Sequence, residues 1–463
     1  MSTKFHFPIL LFIPALVLGF WLVPKSEDTP PQTNPSLFKP YTKTIDPSIL
    51  KTDVFEAENS IARHFLTFDY AAFKQLVMTP ASKGQKPKVD FPLVKGKGVF
   101  TATTINYEAK DGLHTWEGEF GSAEVYSHAL MVVREGGGFG QFQIDDRIFS
   151  FHPLALEKEN KIVLVMDEVV QPKNETCDSE EPKAPQVQVQ AQNTQTYPIH
   201  VLYVFPDNFR WVCNSYGVGL IGQFQRQVRN MVVRLYTAHL NREYRQLGIT
   251  EPISFSGTHM CSDYRIVFTG PSDNFNNEVD DIKANVEISR KRDEVEADIV
   301  VLLSPRAAGT SVGKTQTPWT PGLRWQHEAY GVVSVPHAIS NFTLAHELGH
   351  MMSLHHERAD TEPDKLDRCQ YAYYIKVARA GGDINRPFIR YRTIMAIGEQ
   401  AQQEGGNSPV RVGWFSTGQD VGQGGVRIRF GISCNANPAM VFEGPANNTK
   451  MLNVSAPIVA TYR

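Results

Sequence analysis

The chain has 463 residues, 41% of them apolar and 21% charged, with a formal net charge of −3. That length exceeds one ordinary core and suits two or three domains, and the composition argues against wholesale disorder. With charge near neutral and no dense Lys/Arg block, the reading carries no nucleic-acid partner.

In chain order, residues 5–23 follow Lys4 as an almost wholly apolar run, interrupted by His6, Pro8 and Pro14. A short positive start before an apolar stretch is the pattern of an export signal. The run is also just long enough to cross a bilayer, although its prolines weaken such a helix. Residues 1–24 are therefore expected to be a signal peptide or an N-terminal membrane anchor, with membrane attachment through 5–23 in the second case. Both place the rest of the chain outside the cytoplasm, secreted or anchored. Residues 25–43, rich in proline and small polar side chains, are expected to form an exposed spacer.

Residues 44–176 have the alternation of a β-rich domain, with strands expected near 99–107, 130–134 and 161–166. Within it, 54–77 has helical spacing. The glycine-rich stretch 136–140 is read as a hairpin turn, since no helix or Lys-Ser/Thr follows to make it a phosphate loop. Residues 177–196 are polar and proline-containing, the composition of a linker. From 197 to 463 the pattern changes. A buried strand is expected at 197–205, a long amphipathic helix at 219–247, a second helix at 279–295 and another buried strand at 298–303. Strand and helix in alternation predict an α/β layered domain.

The chemistry concentrates in Thr343-Leu-Ala-His346-Glu347-Leu-Gly-His350-Met-Met-Ser353-Leu-His355-His356-Glu357. On a helix His346 and His350 project from one face a turn apart, where two imidazoles can hold one Zn²⁺. Glu347 stands beside them, able to accept a proton from an activated water. A catalytic zinc normally has three protein ligands and an open position, and His356 supplies the third if the chain turns near Ser353. His355 is the neighbouring alternative.

These residues resemble the metzincin zinc-protease signature HExxHxxGxxH. The resemblance implies zinc as cofactor, His346, His350 and His356 as metal ligands, and Glu347 as the catalytic base. It also implies a later Met-turn, which Tyr391-Arg-Thr-Ile-Met395-Ala matches through Met395. The runs Ala297-Asp-Ile-Val-Val-Leu-Leu303 and Trp414-Phe-Ser416, with the closing stretch 453–463, resemble the reprolysin (adamalysin-like) branch. The β-rich region resembles the propeptide of bacterial-type members. The fold expected is thus an α/β (α+β) metzincin-like zinc protease domain preceded by a β-rich pro-domain. Three positions depart from the family: Ser353 replaces the signature glycine, Glu357 the usual aspartate, and Ile397 stands where astacins carry a tyrosine ligand.

Five cysteines fit an oxidising compartment. Cys213 with Cys261 and Cys369 with Cys434 could pair, leaving Cys177 as a candidate inhibitory switch that a zinc site would accept as a thiolate. Asn174, Asn341, Asn447 and Asn453 head N-x-Ser/Thr sequons. The function expected is an exported zinc endopeptidase, made as a zymogen, acting on protein or peptide substrates. Two alternatives stay open: a binding protein on the same scaffold that no longer catalyses, and a thermolysin-type enzyme with Glu362 as third ligand.

Overall fold

Residues 38–169 build a nine-stranded, wholly antiparallel sheet. Its strands are β1 (Phe38–Pro40), β2 (Ser60–Phe68), β3 (Lys88–Pro92), β4 (Val99–Lys110), β5 (Leu113–Phe120), β6 (Ser127–Arg134), β7 (Gly137–Ile144), β8 (Arg147–Leu156) and β9 (Lys161–Val169). They lie in the order β1-β2-β9-β8-β7-β6-β5-β4-β3. Two short helices accompany them, α1 (Pro47–Leu50) and α2 (Tyr70–Met78). The computed structural model describes residues 37–50, 53, 55, 60–79, 86–92, 99–123, 126–171, 198–213, 219–245, 253–267, 275–308, 311–317, 323–356, 371–378, 388–397, 409–417, 420–423, 426–431 and 446–462, all within one unit, Ser36–Arg463.

The sheet rolls on itself. Phe38 on one edge strand and Phe91 on the other stack with ring centroids 5.4 Å apart. Inside the roll, Trp116, Phe142, Phe149, Phe151, Met131 and Val133 are buried together. The alternate residues Leu130 and Val132 point the other way into a second core. Both faces of β6 are covered, so its sequence is a continuous apolar run rather than an alternation.

Several expectations are corrected here. Leu37 and Phe38, assigned by composition to the exposed spacer 25–43, are buried, and Phe38–Pro40 pairs with β2. Residues 60–68, read as helical within 54–77, form a strand laddered to β9. Only α2 is helical there, started by Asp69, whose carboxylate accepts from the Ala72 amide. A cross-sheet partner outweighs local spacing in so short a stretch. The turn at the glycine-rich stretch is Glu135-Gly136, and Gly137 to Gly140 already belong to β7. Gly140 lies flat under Phe151, where a β-carbon would overlap the ring.

The second layer is a five-stranded sheet. Its elements in chain order are β10 (Ile199–Phe205), α3 (Arg210–Cys213), α4 (Gly219–Arg245), β11 (Phe255–Cys261), α5 (Asn276–Ala284), α6 (Val286–Glu294), β12 (Ile299–Ser304), β13 (Gly313–Thr315) and β14 (Tyr330–Ser334). The order is β11-β10-β12-β14-β13, parallel except for the antiparallel edge strand β13. The helix expected at 279–295 is two helices. Asn285 takes an extended conformation and its side chain caps α6 through the Glu287 and Ile288 amides. A disulfide joins Cys213 to Cys261, tying α3 to the end of β11.

After β14 come α7 (Val335–Ala338), α8 (Thr343–Met351), β15 (Tyr374–Ala378), β16 (Phe388–Arg392), β17 (Val410–Arg411), the hairpin β18 (Asp420–Gln423) and β19 (Val426–Arg429), and α9 (Asn448–Val459). Helix α4 joins the two layers. Its Phe224, Val228 and Val232 share one core with Leu113, Leu130 and Val132 of the rolled sheet and with Leu344 and Leu348 of α8. Arg245 donates to Glu117 at 2.8 and 3.1 Å, and Arg234 pairs with Glu108. Among the described residues no helix is long and apolar enough to cross a membrane. Residues 5–23 and the linker 177–196 lie outside the described residues.

Candidate metal centre

Helix α8 carries the site, and its end determines where the third histidine falls. The helix ends at Met351, with Met352 as its C-cap. Ser353 then takes a left-handed conformation, φ +67°. The Ser353 amide donates to the His350 carbonyl at 2.8 Å and the Leu354 amide to the Gly349 carbonyl at 3.0 Å. This pair of bonds is a Schellman termination, in which a residue just past the helix adopts positive φ so that the last carbonyls are satisfied. Serine performs the turn that glycine makes at lower cost. The chain thereby reverses, and His356 comes back toward the helix.

The result is a trio of imidazoles. The Nε2 atoms of His346, His350 and His356 are 3.1, 2.9 and 3.2 Å from one another. Three ligands at about 2.0–2.1 Å in a tetrahedral zinc site would have nitrogens about 3.3 Å apart, so the donor set fits Zn²⁺. The opposite ring nitrogens are already committed. His346 Nδ1–H donates to the Ile394 carbonyl and His350 Nδ1–H to the Leu354 carbonyl, each at 2.8 Å. A carbonyl only accepts, so both rings carry the proton on Nδ1 and turn the Nε2 lone pair inward. Burial, then the neighbouring imidazole and Arg411, hold His346 well below the ordinary histidine pKa. For His350 burial leads, followed by His356 and His355. Neutral imidazole is the ligating form. His355, though buried, bridges to Tyr371 and is not one of the trio.

Glu347 is 1% exposed on the same helix. Edge strand β13 runs flush against it, since a β-carbon at Gly313 would overlap its Oε1. Met395 lies in a tight turn closed by the Ala396 amide on the Thr393 carbonyl (3.0 Å). Its sulfur occupies the space beside Gly349, 2.5 Å from where a β-carbon would stand. The residue before it, Ile394, supplies the carbonyl that orients His346. Ile397 is buried beyond the turn. Gly313 and the buried Arg411 also meet the site, and neither has a sequence signal, because each reaches it only through the folding of distant segments.

Cys177, Glu357, Glu362, Cys369 and Cys434 lie outside the described residues. Asn341 of the second sequon is 1% exposed, which leaves no room for a glycan in the folded chain.

Comparison with known proteins agrees with this geometry over the segment that bears it. No curated protein sequence matches the chain. A solved structure described as "Structure of a chaperone-substrate complex" aligns at 11% identity and a TM-score of 0.37, over 72% of this chain. The chain covers 39% of that structure's chain. Residues 233–357 match the family model of the reprolysin-like metallopeptidases, family M12B, and the His346–His350–His356 trio within them matches the metzincin zinc-binding motif and fits zinc as cofactor.

Proposed function

We propose that the chain is an exported zinc endopeptidase that hydrolyses internal peptide bonds of proteins, with Glu347 as its general base. The observation that carries the reading is the trio of inward-facing Nε2 atoms with a buried carboxylate one residue from the first ligand. Bound zinc would lower the pKa of a water to about 7 and polarise the scissile carbonyl. Glu347 would take the proton of the attacking water and deliver it to the leaving amine. The main-chain edge of β13, passing Glu347 at Gly313, supports a substrate laid alongside as an added strand. Such main-chain pairing would hold an internal segment of an extended polypeptide across the site, which favours endopeptidase action. Export is supported by the Cys213–Cys261 disulfide, a bond typical of oxidising compartments.

The rolled sheet, which precedes the segment bearing the trio, is the candidate pro-domain. Its shared core with α4 favours a segment that stays bound after any cut in the linker.

The test is Glu347→Gln in the full chain, assayed for zinc by elemental analysis and for casein cleavage after limited proteolysis of the linker. Zinc retained at one per chain with cleavage lost supports the assignment. Undiminished cleavage in the variant would remove Glu347 from the role, and zinc without cleavage in the parent chain would favour the binding-protein reading.

A further inference from the structure

Arg411 is buried on β17, 1% exposed, and its guanidinium spans two segments that each hold His346. Nη1 donates to the Asn341 carbonyl at 2.8 Å, immediately before Phe342, from which α8 starts. Nη2 donates to the Ala396 carbonyl at 2.8 Å, two residues beyond the Ile394 carbonyl that receives the His346 Nδ1 proton. The first contact fixes where the helix begins, and the His346 amide bonds back to the Phe342 carbonyl at 2.9 Å. The second fixes the Met395 turn. The imidazole of His346 is thus held by its main chain from one side and by its ring from the other, and one planar group determines the spacing between them. Arg392 also donates to the Ala396 carbonyl, at 3.1 Å, so two guanidiniums share the acceptor beyond the Met395 turn.

The main chain of Arg411 is in turn held from the N-terminal part of the molecule. The side-chain amide of Gln171 accepts from the Arg411 amide at 2.5 Å and donates to the Arg411 carbonyl at 3.2 Å. Gln143 on β7 donates to the same carbonyl at 3.4 Å. A side-chain amide making both bonds imitates a neighbouring strand.

We propose that Arg411 is a positioning residue of the metal centre, setting His346 in ligand geometry, and that Gln171 and Gln143 of the N-terminal part hold Arg411 in place. The inference rests on the zinc-site reading. It makes the rolled sheet a contributor to metal binding and not only a cover over α4.

The experiment loads the full-length chain with Co²⁺ in place of zinc and records the visible ligand-field band, together with Zn²⁺ affinity by chelator competition. Variants are Arg411→Met, Arg411→Lys and the double variant Gln143→Ala/Gln171→Ala, each checked for folding by circular dichroism. The expected result is a shifted cobalt band in Arg411→Met and Zn²⁺ affinity lower by about 10–100-fold, the usual effect of losing an outer-sphere partner. Arg411→Lys should recover part of the change, because an ammonium is a point donor where the guanidinium is a fork. The double variant should shift the band in the same direction by a smaller amount. It keeps every charge, so it also carries the test should Arg411→Met fail to fold. Folded variants whose band and affinity match the parent chain would overturn the proposal. A parent chain giving no tetrahedral cobalt band would instead overturn the zinc site on which it rests.

Discussion

Ser353 is the residue on which the delivery of His356 depends. Its φ of +67° costs a non-glycine residue roughly 1–2 kcal/mol. Its hydroxyl is buried with no hydrogen-bond partner among the described residues. Glycine removes both penalties but loses roughly 0.5–1 kcal/mol through the greater freedom of its unfolded chain. Ser353→Gly is therefore expected to raise stability by roughly 0.5–1 kcal/mol at unchanged zinc content, read as a higher urea midpoint. A lower midpoint would mean that the serine makes a contact the geometry does not reveal. The histidine spacing, by contrast, is legible without the fold. Four residues apart on a helix is one turn and one face, whatever surrounds it.

At the scale of elements, the relation of β13 to α8 governs the reaction space. A methyl group at Gly313 would meet the Glu347 carboxylate and force it aside. Gly313→Ala is expected to leave zinc content unchanged and to lower kcat by about 10–100-fold, since small misplacements of a catalytic group are that costly. Unchanged kcat would show that the strand yields. Elements also mark where sequence reading stops short. The long helix α4 was legible from the apolar spacing of Phe224, Val228, Val232, Leu235 and Leu240. The break at Asn285 was not, because an asparagine inside an amphipathic pattern caps a new helix only when the tertiary fold bends the chain there. Residues 60–68 likewise look helical in isolation and become a strand because β9 offers a ladder.

The whole molecule has its own consequence at the seam between the layers. His128 of β6 and His239 of α4 are both buried against Phe342, with ring centroids 5.8 and 5.4 Å from it. No ring nitrogen of either has a hydrogen-bond partner among the described residues. Burial, then Arg242, lowers the His239 pKa to about 3. His128 is lowered well below the ordinary value by the same causes and by His239. An unfolded histidine takes up its proton near pH 6.5. The folded state refuses it until about pH 3, so stability is full above 6.5 and falls as pH drops toward 3. His239→Phe removes this titration. The stability of the parent chain relative to that variant should fall by about 1.4 kcal/mol between pH 7.5 and 5.5, measured by urea unfolding. Parallel pH profiles would contradict the burial. Arg242, Glu243 and Tyr126 face the same seam, and the variant comparison leaves all three in place.

The seam also bears on the N-terminal part as a whole. Leu113, Leu130, Val132 and Phe139 bury themselves in the core that α4 and α8 share. At roughly 1.5–3 kcal/mol for each such side chain, their removal would cost about as much as the 5–15 kcal/mol that stabilises a typical domain. After a cut between 172 and 196, the two pieces are expected to co-elute on size exclusion. Separation into a soluble, active 197–463 fragment would show that the sheet is dispensable.

The sequence by itself determined the histidine motif and its zinc chemistry, the α/β character of the second half and the β-rich character of the first. Each of these is carried by spacing along the chain, which the backbone period converts directly into geometry. Tertiary structure alone decided that the sheet rolls until Phe38 meets Phe91, that Gly313 borders Glu347, and that Arg411 joins Asn341 to Ala396. Those contacts link residues tens of positions apart. No local period encodes them, because they exist only once the layers have packed and the buried main-chain groups have been paired.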